Sequence, residues 1–185
     1  MKVKVILNPY ANRWGAQAQV PAVRAAFSRA GLTCDLQMTT EAEEAIVVAE
    51  RAALDGYEAV VAAGGDGTVS EVVNGLIRAA GDGPTLPLGV LSIGTGNDFG
   101  DMNGIPRTLD QAVAVIAAGK TRQIDAGRIN DRFFDNNCAV AMEPMVTIEN
   151  VRMKRLSGNI RYVAALVKSP VSYTHLRAHE TVLDL

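Results

Sequence analysis

The stretch VVAAGGDGTVSEVVNGL, residues 60–76, contains the pattern that decides the fold. An apolar run of valine and alanine ends in two glycines, an aspartate, a third glycine and a threonine. Beyond them, Val69, Val72, Val73 and Leu76 recur at the spacing of an amphipathic helix. The loop between this buried strand and the helix consists mainly of glycine, so its backbone is not shielded by side chains. Such a loop is predicted to contact a ligand with its backbone.

The same alternation of strand and helix extends on both sides of this stretch. Alternating or apolar segments predict further strands at 2–9, 32–40 and 86–93. Apolar residues three and four positions apart predict further helices at 20–30, 41–54 and 108–118. Such an order predicts an α/β fold with three layers, in which a wound, mainly parallel sheet is covered by helices on both faces.

Local signals mark the ends of these helices. Thr40, followed three residues later by Glu43, has the spacing of a capping box that opens the helix at 41–54. Gly31 and Gly119 directly follow two other predicted helices, at a position where glycine commonly ends a helix. The segment GTGNDFGDMNGIP, residues 94–106, is predicted as a loop.

The pattern changes after Lys120. TRQIDAGRI and RFFDNNCAVAM are apolar stretches joined at Asn130 and Asp131, as in a β-hairpin. The ending VSYTHLRAHETVLDL has neither helical nor strand periodicity and resembles translated sequencing-adapter DNA. The predicted organisation is an α/β domain at 1–121, the start of an incomplete β-rich domain at 122–170 and a non-native tail at 171–185.

Composition excludes several classes of function. With 185 residues and 48% hydrophobic content, the chain has room for one complete domain and part of another. A formal charge of −2 gives no electrostatic reason to expect a nucleic-acid partner. No apolar run has the length of a membrane span and the start lacks a signal-peptide pattern, so we expect a cytoplasmic protein. Residues 1–170 contain no histidine, which excludes an imidazole base there.

Special residues follow three predicted strands, at Asn8 and Pro9, at 64–68 and at 94–98. Ligands of parallel sheets bind beyond the carboxyl ends of the strands, and glycine loops expose N–H groups at the positive end of a following helix. Asp66 would repel a phosphate unless a cation lies between them or the carboxylate contacts a sugar. Ordinary tight turns are the alternative. Two such loops at successive strand ends favour a magnesium-nucleotide.

Two familiar motifs do not fit. AAGKT, residues 117–121, ends like a P-loop, but residue 114 is alanine instead of the first glycine and the motif follows a helix C-terminus. GTGNDFG places its third glycine at residue 100, one position beyond the dinucleotide fingerprint. Hydride transfer is therefore poorly supported.

Five segments occur in an order that resembles the diacylglycerol kinase catalytic domain, across nearly all of residues 2–168. They are NPYANRWG, GGDGTVSEVVNGL, LPLGVLSIGTGNDF, IDAGRI and RMKRLSGNIRY. The wider superfamily includes sphingoid-base kinases, bacterial lipid kinases and, more distantly, NAD kinases and phosphofructokinases.

The resemblance implies an enzyme that uses ATP and magnesium (Mg2+) to transfer the γ-phosphoryl group to a lipid hydroxyl, of diacylglycerol or a similar lipid. Such an enzyme is cytoplasmic and acts peripherally at a membrane surface. It implies metal sites at Asp66, Asp98 and Asp125, the first two also catalytic. It implies a nucleotide site at Asn8, Thr40, Gly64, Gly65, Asp66, Gly67, Thr68, Val69, Ser70, Glu71, Gly94, Thr95, Gly96 and Asn97.

The first loop and the length of the chain depart from the family pattern. Asn12 and Trp14 stand where the first loop usually carries glycine, which puts the contacts of that loop in question. Family members also have a second β-rich domain with the lipid cleft and a catalytic acidic residue, most of which is missing here, so we expect a fragment. An NAD kinase-like enzyme and a nucleotide-binding module without catalysis remain alternatives. The identity of the lipid and the oligomeric state, a homodimer included, stay open.

Overall fold

The computed structural model describes residues 1–136, 146–149, 152–153, 160 and 163–168. Its central feature is a parallel sheet with the strand order β2-β1-β3-β4. The strands are β1 (Lys2–Leu7), β2 (Thr33–Met38), β3 (Ala59–Gly64) and β4 (Leu88–Ser92). All six residues of β3 are buried, as its uninterrupted apolar sequence predicts for a central parallel strand.

Helices connect these strands. They are α1 (Val20–Arg29), α2 (Glu44–Leu54), α3 (Asp66–Ala80), α4 (Asp98–Met102) and α5 (Leu109–Ala117), with a short 3-10 helix at Gln17–Gln19. Gly31 and Gly119 follow α1 and α5 with φ of 68° and 64°, in the left-handed region that glycine adopts at low cost. Both predicted helix ends are confirmed.

The sheet has a hydrophobic layer on each face. Val3, Val5 and Leu7 of β1 belong to a core cluster that includes residues of α1 and α5. Ile6 of the same strand belongs to a second cluster, together with residues of α2 and α3. Alternate side chains of a strand point to opposite faces, so one strand supplies both cores. The three-layer α/β prediction is confirmed.

Three local predictions are wrong. The helix predicted at 41–54 begins at Glu44, because Glu43 has a left-handed backbone with φ of 66°. The carboxylate that accepts the Thr40 hydroxyl belongs to Glu44, at 2.8 Å, so the predicted capping box with Glu43 does not form. The segment predicted as a loop at 94–106 contains α4.

The predicted hairpin is confirmed. Strands β5 (Gly127–Ile129) and β6 (Arg132–Phe134) pair antiparallel across a turn at Asn130, whose φ is 51°. The buried amide of Asn74 on α3 fastens this hairpin, since its Oδ1 accepts the Phe133 N–H and its Nδ2 donates to the Phe133 carbonyl, both at 2.9 Å. The hairpin therefore packs on the helix that follows the first glycine loop.

The chain separates into two compact units, at 1–136 and 137–185. The predicted tail at 171–185 and part of the predicted β-rich domain at 122–170 lie outside the described residues, and both stay predictions. In the second unit, residues 146–149 and 163–168 are helical, and the buried Glu149 accepts hydrogen bonds from Arg152 and Lys168. Among the described residues, no helix combines the length and the apolar character needed to cross a membrane.

Ser92, at the end of β4, carries a buried hydroxyl whose oxygen has no hydrogen-bond partner within the described part of the chain. A Cβ placed on Gly100 would lie 2.3 Å from this oxygen, so the hydroxyl packs tightly against α4. We expect Ser92→Ala to raise the free energy of unfolding by about 1 kcal/mol, because it removes an unsatisfied buried polar group. Urea denaturation measures the change, and a loss of stability would contradict it.

Candidate functional site

The candidate site lies at the carboxyl edge of the sheet. Strand β2 lies on one side of β1, whereas β3 and β4 lie on the other side. The direction of the strand order therefore reverses between β1 and β3, which is the topological switch point. The Asn8 N–H donates to the Ala63 carbonyl at 3.0 Å, and the Asn8 amide lies 3.3 Å from the Thr68 hydroxyl. The loops after these two strands are therefore joined at the place where such folds bind ligands.

The two glycine loops are in direct contact. A Cβ on Gly94 would lie 2.3 Å from the Cα of Gly65, and a Cβ on Gly64 would lie 2.3 Å from the Thr68 hydroxyl. The Gly94 N–H donates to the Gly64 carbonyl at 3.0 Å. Gly65 and Gly94 permit close packing of backbone against backbone, while Gly64 leaves room for the Thr68 side chain. Gly67 differs, because a Cβ there would meet no protein atom within 4 Å.

Asp66 fastens the second glycine loop to the first. Its two carboxylate oxygens accept the N–H groups of Asn97 and Phe99, each at 2.9 Å. Asn97 is 7% exposed and has a left-handed backbone, and its side chain bonds both the N–H and the carbonyl of Gly94. The Asp66 carboxylate thus caps the start of α4, which explains the helix that the sequence did not predict.

Free backbone donors line the junction of the loops. Within residues 1–136, the N–H groups of Gly65, Asp66 and Gly67 donate to no protein acceptor, and they lie at the positive end of the 15-residue helix α3. In the same part of the chain, the N–H groups of Thr95 and Gly96 are also without a protein acceptor. Free amide donors at the N-terminus of a helix, with further free amides in the adjacent loop, have the chemistry of a phosphate site.

Two adjoining cavities open here. The larger has a volume of about 330 Å³, and the smaller of about 180 Å³. Both are lined by Asn8, Tyr10, Thr68 and Glu71. Of the other predicted nucleotide-binding residues, the larger cavity is lined by Gly65, Gly67, Gly94 and Thr95.

Several predicted residues do not line either cavity. Thr40 points its hydroxyl to Glu44, while Thr39 and Glu41 on either side of it line the smaller cavity. Val69 is 2% exposed and packs in the core, because it lies on the inward face of α3. The backbone carbonyl of Ser70 accepts a hydrogen bond from Asn74.

The predicted metal residues do not form a compact group. Asp98 and Asp125 are exposed, and among the described residues no three acidic, histidine or cysteine side chains are gathered closely enough to hold a metal ion. Magnesium in nucleotide sites uses one or two carboxylates together with phosphate oxygens and waters. Asp66 retains lone pairs beyond its two amide contacts, so a single-carboxylate arrangement fits the residues present.

Sequence reasoning missed Asp135, which follows β6 in the segment RFFDNN. Its carboxyl is half-buried, and burial raises its pKa, with a further increase from the negative charge of Asp66. The position of Asp135 directly after β6 was the sequence feature that could have indicated a role in the site. Its proximity to Asp66 depends on the Asn74 contact to the hairpin, which no local pattern predicts.

Comparisons with known proteins agree with this architecture. The family model of the diacylglycerol kinase catalytic domain matches residues 2–129. Proteins named diacylglycerol kinase from Staphylococcus aureus strains bovine RF122 / ET3-1 and MRSA252 are each 33% identical over 163 residues, covering 87% of this chain and 50% of their own length. The crystal structure of a diacylglycerol kinase from Bacillus anthracis str. Sterne superimposes with a TM-score of 0.61 at 26% identity, over 72% of this chain and 45% of that one.

A parallel sheet with glycine loops at its switch point, together with these neighbours, defines an α/β domain of the NAD kinase-like fold. Within that class, the chain belongs to the diacylglycerol kinase catalytic domain family. It spans about half the length of the curated relatives that it matches.

Proposed function

We propose that this chain is the nucleotide-binding part of an ATP-dependent lipid kinase, which transfers the γ-phosphoryl group to a hydroxyl of diacylglycerol or a similar lipid. The observation that carries the proposal is that three residues with free N–H groups, Gly65, Gly67 and Thr95, line one cavity at the switch point. Family membership supports the transfer to a lipid. Phosphoryl transfer depends mainly on positioning and charge neutralisation, and this arrangement offers the positioning.

Each part of the site has a role in this proposal. The amides of 65–67 and 95–96 bind the phosphates, while Asn8 and Thr68 hold the two walls of the cavity together and offer polar contacts. Asp66 would hold Mg2+ through its remaining lone pairs, and Asp98 and Asp125 would contact the ion through water. The bound ion would supply charge neutralisation for the phosphates. The relatives continue beyond the matched half, where we place the lipid cleft and the catalytic base.

For the whole protein, we propose a cytoplasmic enzyme of phospholipid metabolism that attaches peripherally to membranes. Incubation of the full-length protein with labelled ATP, followed by organic extraction, distinguishes the candidates. Label in a phospholipid supports a lipid kinase, and label in a dinucleotide supports the NAD kinase-like alternative. Because this chain covers half of its relatives, ATP binding without any product is the expected result for the 185-residue chain tested alone.

Gly67→Ala separates binding from folding. The added methyl would meet no protein atom within 4 Å, and alanine is favoured over glycine in a helix, so stability should stay equal or rise by up to ~1 kcal/mol. Gly67 lines the larger cavity, where the methyl would obstruct a phosphate that bonds to the backbone. We expect ATP affinity, measured by calorimetry, to fall roughly tenfold, which corresponds to the loss of one hydrogen bond to a charged group.

An unchanged ATP affinity in folded Gly67→Ala protein would contradict the placement of phosphate at the start of α3. The matched control is Gly31→Ala, at an exposed glycine beyond α1 that lines neither cavity. That change should lower stability because Gly31 has a φ of 68°, and it should leave ATP affinity unaltered.

A further inference from the structure

The hairpin formed by β5 and β6 has little packing of its own. Each strand has three residues, and residues 128–132 are exposed. A two-stranded hairpin is at best marginally stable in water. The ion pair that joins it to α2, between Arg132 and Glu43, links exposed side chains, and such a pair contributes little to stability. The position of the hairpin therefore depends on its buried contact with Asn74.

Asn74 holds the hairpin by its backbone. The side chain is 2% exposed, and its amide bonds both the N–H and the carbonyl of Phe133 at 2.9 Å. Its Nδ2 also donates to the Ser70 carbonyl at 2.8 Å, one turn earlier in α3. The amide thus satisfies both backbone groups of Phe133, as a residue of a neighbouring strand would. Two bonds to one residue fix the direction of β6 as well as its place on α3.

Two carboxylates lie at the open end of this hairpin. Gly127 pairs with Phe134, so Asp125, two residues before β5, and Asp135, directly after β6, flank the same end. The half-buried Asp135 forms no ion pair within residues 1–136. Burial raises its pKa, and the negative charge of Asp66 raises that pKa further. The open end of the hairpin therefore lies towards the start of α3.

We propose that Asn74 is a positioning residue of the magnesium-nucleotide site, because it holds the open end of the hairpin near Asp66. The inference rests on the proposed function. It adds Asp135 to the carboxylates that would contact the ion through water. A half-buried carboxylate close to a second one is unfavourable, and a cation between them removes that cost. Residues that orient the ligands of a metal commonly change its affinity about 10–100-fold.

The test measures how much magnesium strengthens ATP binding, by titration calorimetry on the full 185-residue chain in excess magnesium and in excess EDTA. We expect Asn74→Ala to reduce this magnesium enhancement about tenfold, because the carboxylates of the hairpin lose their fixed place. ATP affinity in EDTA should stay unchanged, since the glycine loops do not contact the Asn74 side chain.

The matched control is Val113→Ala, at a fully buried residue of α5 on the opposite face of the sheet. It should lower the midpoint of urea denaturation, as Asn74→Ala does, because it leaves a cavity in the core. The magnesium enhancement should nevertheless remain as in the wild type. An equal loss of enhancement in both variants would overturn the positioning role, because instability alone would then explain it.

Asp135→Asn tests the carboxylate itself. The change keeps the size of the side chain and removes its charge, so it should reduce the magnesium enhancement. It should leave the denaturation midpoint equal or higher, because it removes the repulsion between Asp135 and Asp66. A full magnesium enhancement in this variant would overturn the role of Asp135.

The outcomes also separate this inference from the proposed function. If the wild-type chain binds no ATP, the proposed nucleotide site fails. If it binds ATP equally well in magnesium and in EDTA, the metal site and the role of Asn74 fail together while the nucleotide site stands. If magnesium strengthens ATP binding equally in the wild type and in Asn74→Ala, only the positioning role is overturned.

Discussion

Asp66→Ala is expected to lower the free energy of unfolding by about 2–4 kcal/mol and to remove measurable ATP binding. Its carboxylate accepts two backbone N–H groups at 2.9 Å, and a hydrogen bond to a charged group contributes about 1.5–3 kcal/mol, less where the group is partly exposed. Without it, the loop that carries Thr95 and Gly96 loses its attachment to α3. Chemical denaturation and calorimetry with and without magnesium measure the two effects.

Asp98→Ala is the control for stability in the same loop. The Asp98 side chain is exposed and forms no hydrogen bond within residues 1–136, so its removal should change stability by less than about 0.5 kcal/mol. If Asp98 helps to hold magnesium, only the magnesium-dependent part of ATP affinity should fall. An Asp66→Ala variant as stable as the wild type would show that the two amide contacts do not hold the loop.

Gly75→Ala is expected to destabilise the domain by about 2–3 kcal/mol, because it overpacks the contact between α2 and α3. The new Cβ would lie 2.2 Å from the Ile46 carbonyl oxygen and 2.8 Å from the Ala49 Cβ, and the backbone atoms of α2 cannot turn away as a side chain can. For a domain of this size the loss corresponds to a decrease in Tm of roughly 5–10 °C, which differential scanning calorimetry detects.

Whether Gly75→Ala raises or lowers the stability of the domain is the decisive observation. In an isolated helix, glycine to alanine stabilises by up to about 1 kcal/mol, and Gly67→Ala near the start of the same helix tests that gain without the clash. The two variants should therefore move in opposite directions. A Gly75→Ala protein that unfolds at or above the wild-type temperature would contradict the close contact of these helices.

The order of strands and helices could be predicted because each element has its own periodicity. Strand β3 has an apolar residue at every position before its glycine, and α3 repeats its valines and leucine at helical spacing. These patterns indicate which side chains face the core. The direction of a side chain within a strand or helix depends on its position relative to residues close in sequence. The short helix α4 lacks such a pattern, since a carboxylate 33 residues earlier in the chain caps it.

The candidate site could be predicted in outline only. The glycine loops could be recognised from the sequence, but the reason for each glycine could not. Gly64 and Gly94 are required because neighbouring atoms leave no room for a Cβ. Gly67 differs from these two, because a Cβ there would enter unoccupied space. Asp66 was predicted as a ligand for magnesium, and its observed contacts are to the backbone of the neighbouring loop. The distances between the loops depend on how the strands are arranged in the sheet, and no local sequence pattern predicts those distances.

The amino-acid sequence alone predicts a wound α/β domain with two glycine loops at the ends of successive strands. It does so because buried positions are occupied by apolar residues and flexible backbone positions by glycine. The folded arrangement decides which donors remain free and how Asp135 comes near Asp66. Those features arise where distant segments meet, and they depend on how the helices and the hairpin pack.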